Sequence, residues 1–346
     1  MWAEYLIFLL KTVTIVVAVG VIVVLLISAA SRHRDEEDKG HIKVEDLSKK
    51  LDRLRQRLEE AMTTDPKQLK KQRKAEKKAE KQEAKARAKT DGDKADEKSA
   101  AWVIDFKGDM NASQVKSLAE TVTAIVTIAN PGETVLLRLE SPGGVVHGYG
   151  LAASQLARLK QHGLNLEIVV DKVAASGGYM MAALADRIIA APFAVVGSIG
   201  VVAQLPNIHR FLKKNDIDVE LHTAGEFKRT LTVIGENTEA GREKFKEDLE
   251  NTHRLFKDHV AKARPSLDIE SVATGEFWYG SEAMEKGLVD DISTSDDVIL
   301  KLHDTHRVLK VSFETPKPLA KRLTIGVMAF VDDLLARVSS RHTPYF

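Results

Sequence analysis

The stretch Asp171–Asp186, DKVAASGGYMMAALAD, decides how the rest of the chain is read. Just before it, Leu166–Val170 is a short run rich in β-branched residues, which predicts a buried strand. The small residues Ala174, Ala175, Ser176, Gly177 and Gly178 follow, and then a helix-forming run from Met180 to Ala185. A serine at a strand-to-helix turn can project its hydroxyl into the space faced by the free N–H groups of the first helical turn. An acyl-transfer nucleophile needs that arrangement. For an arbitrary Ser-Gly-Gly the commoner role of the serine is a simple helix N-cap, and nothing within this stretch overrides that reading.

Working outward, the same strand-then-helix order recurs. Trp102–Phe106 predicts a strand and Ala112–Ala129 an amphipathic helix. Thr134–Leu139 predicts the next strand, Ser141-Pro142-Gly143-Gly144 a turn, and Val145–Gln161 the next helix. Further strands are expected around Ile188–Ala190 and Val219–His222, and Val308–Phe313 reads as a late one. Thr238–Ala263 reads as a long charged helix, and Gly275–Gly287 as a turn and short helix. Strands alternating with helices predict a mostly parallel sheet covered by helices. In such sheets the loops at the carboxyl ends of the strands converge on one crevice. The Ser-Pro-Gly-Gly turn and the Ser176 turn both leave a strand for a helix, so both are expected along that edge.

The domain so outlined, residues 100–315, is preceded by very different sequence. The chain of 346 residues has a formal net charge of +1 and 44% hydrophobic residues, enough for one large or two modest cores, but both are unevenly spread. From Thr12 to Ala30 no charge occurs over about nineteen residues, a helical length of roughly 28 Å that crosses a bilayer. A cleaved signal peptide competes, given Ser28, Ala29 and Ala30, but its apolar region would be unusually long, so residues 1–31 are read as a retained anchor. Arg32, His33 and Arg34 follow the span while only Lys11 precedes it, which points the bulk of the chain to the cytoplasm.

Residues 32–99 read as a charged spacer. Val44, Leu47, Leu51, Leu54, Leu58 and Ala61 alternate three and four apart over about three heptads, which suits a self-association helix or an amphipathic helix lying on the body. From Pro66 to about Lys98, Lys, Glu, Ala and Gln occur without an aromatic residue, predicting a solvated helix or disordered spacer. Interleaved glutamates and missing aromatics argue against nucleic acid, and anionic lipid headgroups are the better partner for these lysines. Residues 316–346 form a tail whose apolar run, Leu323–Val331, is too short for a second span.

The chemistry open to the chain is restricted. There is no cysteine, which removes disulfides, thiolate nucleophiles and cysteine-ligated metals, and the eleven histidines show no zinc-site spacing. No cofactor is expected. A serine nucleophile needs a base, either a histidine supported by a carboxylate or a neutral lysine. His147, His222, Lys172 and Lys228 are the candidates near predicted strand ends or the serine, and their spacing does not choose among them. A lysine serves only if burial or neighbours favour its neutral form.

Four ordered motifs, ESPGG, ASGGYMMAALADRIIAAP, VGSIGV and AGEFKRT, resemble the signal peptide peptidase A family of membrane-bound serine proteases. RTLTVIGENTEAGREKF, with the N-terminal span and charged spacer, resembles its SohB branch, and GEFWYGSEAMEKGLVDDI also matches the family pattern. The resemblance implies an α/β fold of the ClpP/crotonase type, a spiral of β-β-α units. It implies a Ser-Lys dyad with Ser176 as nucleophile and Lys228 as general base, Ser198 holding the lysine amine, and oxyanion amides from Gly143 and Gly177. It implies a homo-oligomeric ring of about eight subunits, whose neighbours contribute to each site. Substrates would be signal-peptide-like, membrane-derived or unfolded polypeptides. The location implied is the bacterial inner membrane with the catalytic domain in the periplasm, against the direction of the flanking charges. A crotonase-like acyl-CoA enzyme and a non-catalytic membrane scaffold are the alternative functions.

Overall fold

The computed structural model describes residues 40–62 and 98–315 continuously, with residues 2, 4, 7, 8, 10, 11, 14, 74, 75, 78 and 79 individually. Nearly all of the expected membrane span, most of the lysine-rich spacer and the apolar tail run lie outside the described residues. Among the described residues, no helix is long and apolar enough to cross a membrane.

The elements follow in order: β1 (His41–Asp46), α1 (Leu47–Met62), β2 (Ala100–Lys107), α2 (Val115–Ile128), β3 (Thr134–Glu140), α3 (Val146–Gln161), β4 (Asn165–Val170), β5 (Val173–Ala175), α4 (Gly177–Ala182), β6 (Arg187–Ala190) and β7 (Val195–Gly197). Then come α5 (His209–Lys214), α6 (Glu239–Ala263), α7 (Ile269–Val272), β8 (Phe277–Tyr279), α8 (Gly280–Glu285), β9 (Asp291–Ile292), α9 (Ser295–Thr305) and β10 (Arg307–Glu314). Seven strands form one sheet in the order β1-β10-β2-β3-β4-β6-β9, and every ladder from β10 to β9 is parallel. The remaining three form a small sheet, β5-β7-β8, parallel between β5 and β7 and antiparallel between β7 and β8.

The large sheet is apolar on both faces, as a parallel sheet must be. Trp102, Ile104, Phe106, Leu137, Leu139, Ile168 and Val170 alternate onto one face and pack with Leu118, Val122 and Ile125 of α2 and Leu156 and Leu159 of α3. Ala101, Val103, Leu136, Val169 and Val308 occupy the other, covered by Leu47 of α1 and by Val298 and Ile299 of α9. The one ring nitrogen buried in the first layer is satisfied: Trp102 Nε1 donates to Glu133 Oε2 at 2.7 Å.

Three local expectations differ from the structure, and one feature lies outside them. The apolar repeat from Val44 starts in a strand, because β1 pairs at the sheet edge and the helix begins only at Leu47. Along that helix Leu47 is buried on the sheet and Leu51 partly so, whereas Leu54 and Leu58 are exposed. Residues 219–222 form no strand; they are largely exposed and make no ladder with another segment. The helix expected from Met180 starts at Gly177, directly after the serine. The small sheet was not foreseen at all, since its three-residue strands are too short to show a period.

Candidate active site

Consecutive strands switch between the two sheets, and the switch builds the site. β4 ends in the large sheet, β5 pairs in the small one, and α4 leaves immediately after it. Ser176 joins β5 to α4 with φ +51° and ψ −120°, a conformation that L-residues avoid. Two backbone bonds hold it there: its N–H donates to Gly197 O at 2.8 Å and its carbonyl accepts from Met180 N at 2.9 Å. Its side chain caps nothing, and among the described residues its hydroxyl has no hydrogen-bond partner. The N–H groups of Gly177, Gly178 and Tyr179, in the first turn of α4, likewise donate to no described group. A partly buried serine on a strained turn beside open amides makes no N-cap bond and is an arrangement an acyl-transfer nucleophile can use.

The Ser-Pro-Gly-Gly turn reaches the same place. Ser141 continues the small sheet, donating its N–H to Val173 O at 2.8 Å and accepting from Ala175 N at 3.0 Å. Gly143 then takes φ +86°, and a Cβ there would lie 2.7 Å from Ser176 Cβ and 2.8 Å from Gly177 N, so only glycine lets the turn come this close. Gly143 N–H donates to Ser141 Oγ at 3.1 Å. Ser141 Oγ lies 2.6 Å from Tyr149 Oη, and the Tyr149 hydroxyl donates to Asp109 O at 2.7 Å. The Tyr149 ring is fully buried beneath Gly177, where a Cβ would come within 2.4 Å of Tyr149 Cγ. Burial raises the phenol above its ordinary range, the contact with Ser141 opposing, so it remains a neutral donor.

Ser198 is brought in by register. Ala175 pairs with Gly197, so the residues that follow, Ser176 and Ser198, leave the two strands side by side. Ser198 also has positive φ, +53°, and its N–H donates to Glu276 O at 2.7 Å. Lys228 is not brought in. It lies on an exposed turn closed by its own N–H to Gly225 O at 3.2 Å, and no hydrogen bond joins its amine to Ser176 or Ser198 among the described residues. None of the other bases considered is hydrogen-bonded to Ser176 among the described residues: His147 is exposed, His222 Nε2 lies 3.1 Å from Glu220, and Lys172 pairs with Glu140 at 3.3 Å. Among the described residues, no group of three His, Asp or Glu side chains could hold a metal ion.

Ion pairs brace the frame of the site. Lys107 and then Lys172 hold the Glu140 carboxylate, just before the glycine turn, below its usual range. Behind α4, Tyr179 Oη donates to Leu288 O at 2.9 Å, and Arg264 grips Asp290 through two bonds of 2.6 and 2.7 Å. Burial alone would raise the Asp290 pKa, but Arg264 and the Ile188 N–H outweigh it and hold the carboxyl below the ordinary range. Tyr149, Asp109 and the loop that carries it were missed from the sequence, where a tyrosine within a helix looks like any other core residue.

A parallel α/β sheet with a serine elbow facing a glycine turn is the framework on which acyl-group chemistry can be built, and comparison with known proteins specifies the class. Residues 1–156 match the model for the peptidase family S49 N-terminal region, and residues 158–309 match that for peptidase family S49. The chain therefore belongs to peptidase family S49. Within the family it falls in the SohB branch. It is similar to the Probable protease SohB of Haemophilus influenzae, 48% identical over 345 residues, which covers 99% of this chain and 97% of that one. The Probable protease SohB of Buchnera aphidicola subsp. Acyrthosiphon pisum is 52% identical over 241 residues, 70% of this chain and 72% of that one. Protease 4 of Haemophilus influenzae is more distant, 27% identical over 174 residues, half of this chain and 28% of that one. The activity class supported by these relatives is proteolysis.

Proposed function

We propose that the chain is a serine endopeptidase anchored in the bacterial inner membrane, in which Ser176 attacks the peptide carbonyl and Lys228 is the general base. The observation that carries this reading is the Ser176 elbow, strained, unbonded at its hydroxyl, and packed against Gly143. Neutral lysine removes the Ser176 proton as Oγ bonds to the carbonyl carbon. The oxygen of the resulting tetrahedral species is met by the N–H of Gly177 and by that of Gly143, which keeps its long 3.1 Å bond to Ser141 Oγ and shares its hydrogen between the two oxygens as a three-centre bond. The lysine proton passes to the leaving amine as the C–N bond breaks, and water then releases the acyl group by the same path. Ser198, beside Ser176 by register, is suited to hold the lysine amine.

The exposed position of Lys228 supports a homo-oligomeric enzyme. Val202, Phe211, Leu221 and Phe227 are at least half exposed in the same irregular part of the chain, and a second copy that covers them would also bury the lysine, as a base requires. Substrates are signal-peptide-like, membrane-derived or unfolded polypeptides, and the catalytic domain lies in the periplasm, both by analogy with the family. The test is hydrolysis of an unfolded polypeptide or a signal peptide by full-length Ser176→Ala and Lys228→Ala. Either variant retaining wild-type turnover overturns the dyad. Mixing the two inactive chains restores part of the activity if serine and lysine come from different subunits. Protease shaving of spheroplasts reports the compartment.

A further inference from the structure

A buried chain of hydrogen bonds ends on the amide of Gly143 and serves no other visible purpose. The Tyr149 hydroxyl spends its only hydrogen on Asp109 O, so at the 2.6 Å contact Ser141 Oγ must be the donor and Tyr149 Oη the acceptor. The lone pairs of Ser141 Oγ are then left for Gly143 N–H. Donors and acceptors thus run in one direction, Gly143 N–H to Ser141, Ser141 to Tyr149, Tyr149 to the Asp109 carbonyl, and such chains reinforce themselves in a dry interior. Both side chains are fully buried, at 0% exposure. The space is closed around them: a Cβ on Gly108 would fall 2.3 Å from Tyr149 Oη and 2.5 Å from Ser141 Oγ. The far end is anchored too, since Val145 N donates to Met110 O at 2.9 Å, tying the loop after β2 to the glycine turn.

The glycine makes this chain necessary. At φ +86° without a side chain, the peptide between Pro142 and Gly143 can swing at little cost, and its N–H could point away from the reacting carbonyl. We infer that Ser141 and Tyr149 are positioning residues that fix the face of the Gly143 amide and, through the Tyr149 ring under Gly177, its height relative to Ser176. The inference rests on the serine-protease reading above. It assigns to the first residue of the glycine turn and to a tyrosine of α3 a part in turnover, although neither touches substrate.

The experiment uses the full-length protein in detergent with fluorescein-labelled casein as the unfolded substrate. Tyr149→Phe keeps the ring beneath Gly177 and removes only the hydroxyl; Ser141→Ala removes the acceptor of the Gly143 N–H. Each is expected to lower kcat by about 10- to 100-fold, less than the loss of an oxyanion donor outright, with KM unchanged within twofold. The double variant should lose no more than the worse single one, because both cut one chain. A kcat within twofold of wild type in both variants overturns the inference, as does a KM that rises in step with the fall in kcat. Independent, multiplying losses overturn it as well. Should Tyr149→Phe not fold, Ser141→Ala alone decides. The Ser176→Ala control separates the two levels: if it remains active the serine reading fails, and if it is inactive while both positioning variants stay fully active only this inference fails.

Discussion

Replacing Ser176 by glycine should make the protein more stable while abolishing its activity. Ser176 sits at φ +51°, ψ −120°, in a region open to glycine but costly for residues with a Cβ. A non-glycine residue there stores about 1–3 kcal/mol. Glycine recovers that strain and gives back roughly 0.5–1 kcal/mol through the greater freedom of its unfolded chain. The net gain expected is about 0.5–2 kcal/mol. Ser176→Ala is the proper reference, because it keeps the Cβ and removes only a hydroxyl that bonds to nothing described; its stability should match wild type. Urea midpoints of the three full-length proteins in one detergent, compared at unchanged slope, measure the differences. Both variants should be inactive, so that stability and activity part in opposite directions only for glycine. If Ser176→Gly unfolds at the same or a lower midpoint than Ser176→Ala, the turn is not strained and the elbow reasoning is wrong.

Gly143→Ala places a Cβ 2.7 Å from Ala175 O and from Ser176 Cβ at a left-handed φ; it should cost about 2–4 kcal/mol of stability and at least about 100-fold in kcat, measured by denaturation and casein turnover. Acid should weaken the fold in a definite window. The Asp290 carboxyl is held below its ordinary value, so its contribution is present above the unfolded pKa of about 3.9 and lost as pH falls through the lower folded pKa. Asp105, drawn down by Arg138 and Lys310 against its own burial, behaves alike. Urea midpoints from pH 6 to about pH 3 should therefore fall below about pH 4, and less steeply in Asp290→Asn, which is less stable than wild type at neutral pH. A parallel decline in both proteins would remove Asp290 from the account.

Much of the framework was legible because it is local. The runs at Trp102–Phe106, Thr134–Leu139 and Leu166–Val170 are long enough to show buried strands, and the small-residue turns at Ser141–Gly144 and around Ser176 mark where the chain hands over to a helix. Ser176 and Gly143 could be singled out for the same reason, since a turn that needs glycine or a small residue writes itself into a few adjacent positions. The strand expected at Val219–His222 failed because β propensity without a partner does not make a ladder.

What only the tertiary structure decided is which separated groups share one space. The small sheet exists through Ala175, Gly197 and Phe277, residues far apart in the chain whose three-residue strands carry no period of their own. The Asp109–Tyr149–Ser141–Gly143 chain needs four segments to meet, and no single one of them is unusual. Local sequence determined the elbow and the glycine turn because backbone sterics act over neighbouring residues. The closeness of these two turns, the side-by-side exit of Ser176 and Ser198, and the exposed position of Lys228 were decided by packing and strand register, which act across the whole fold.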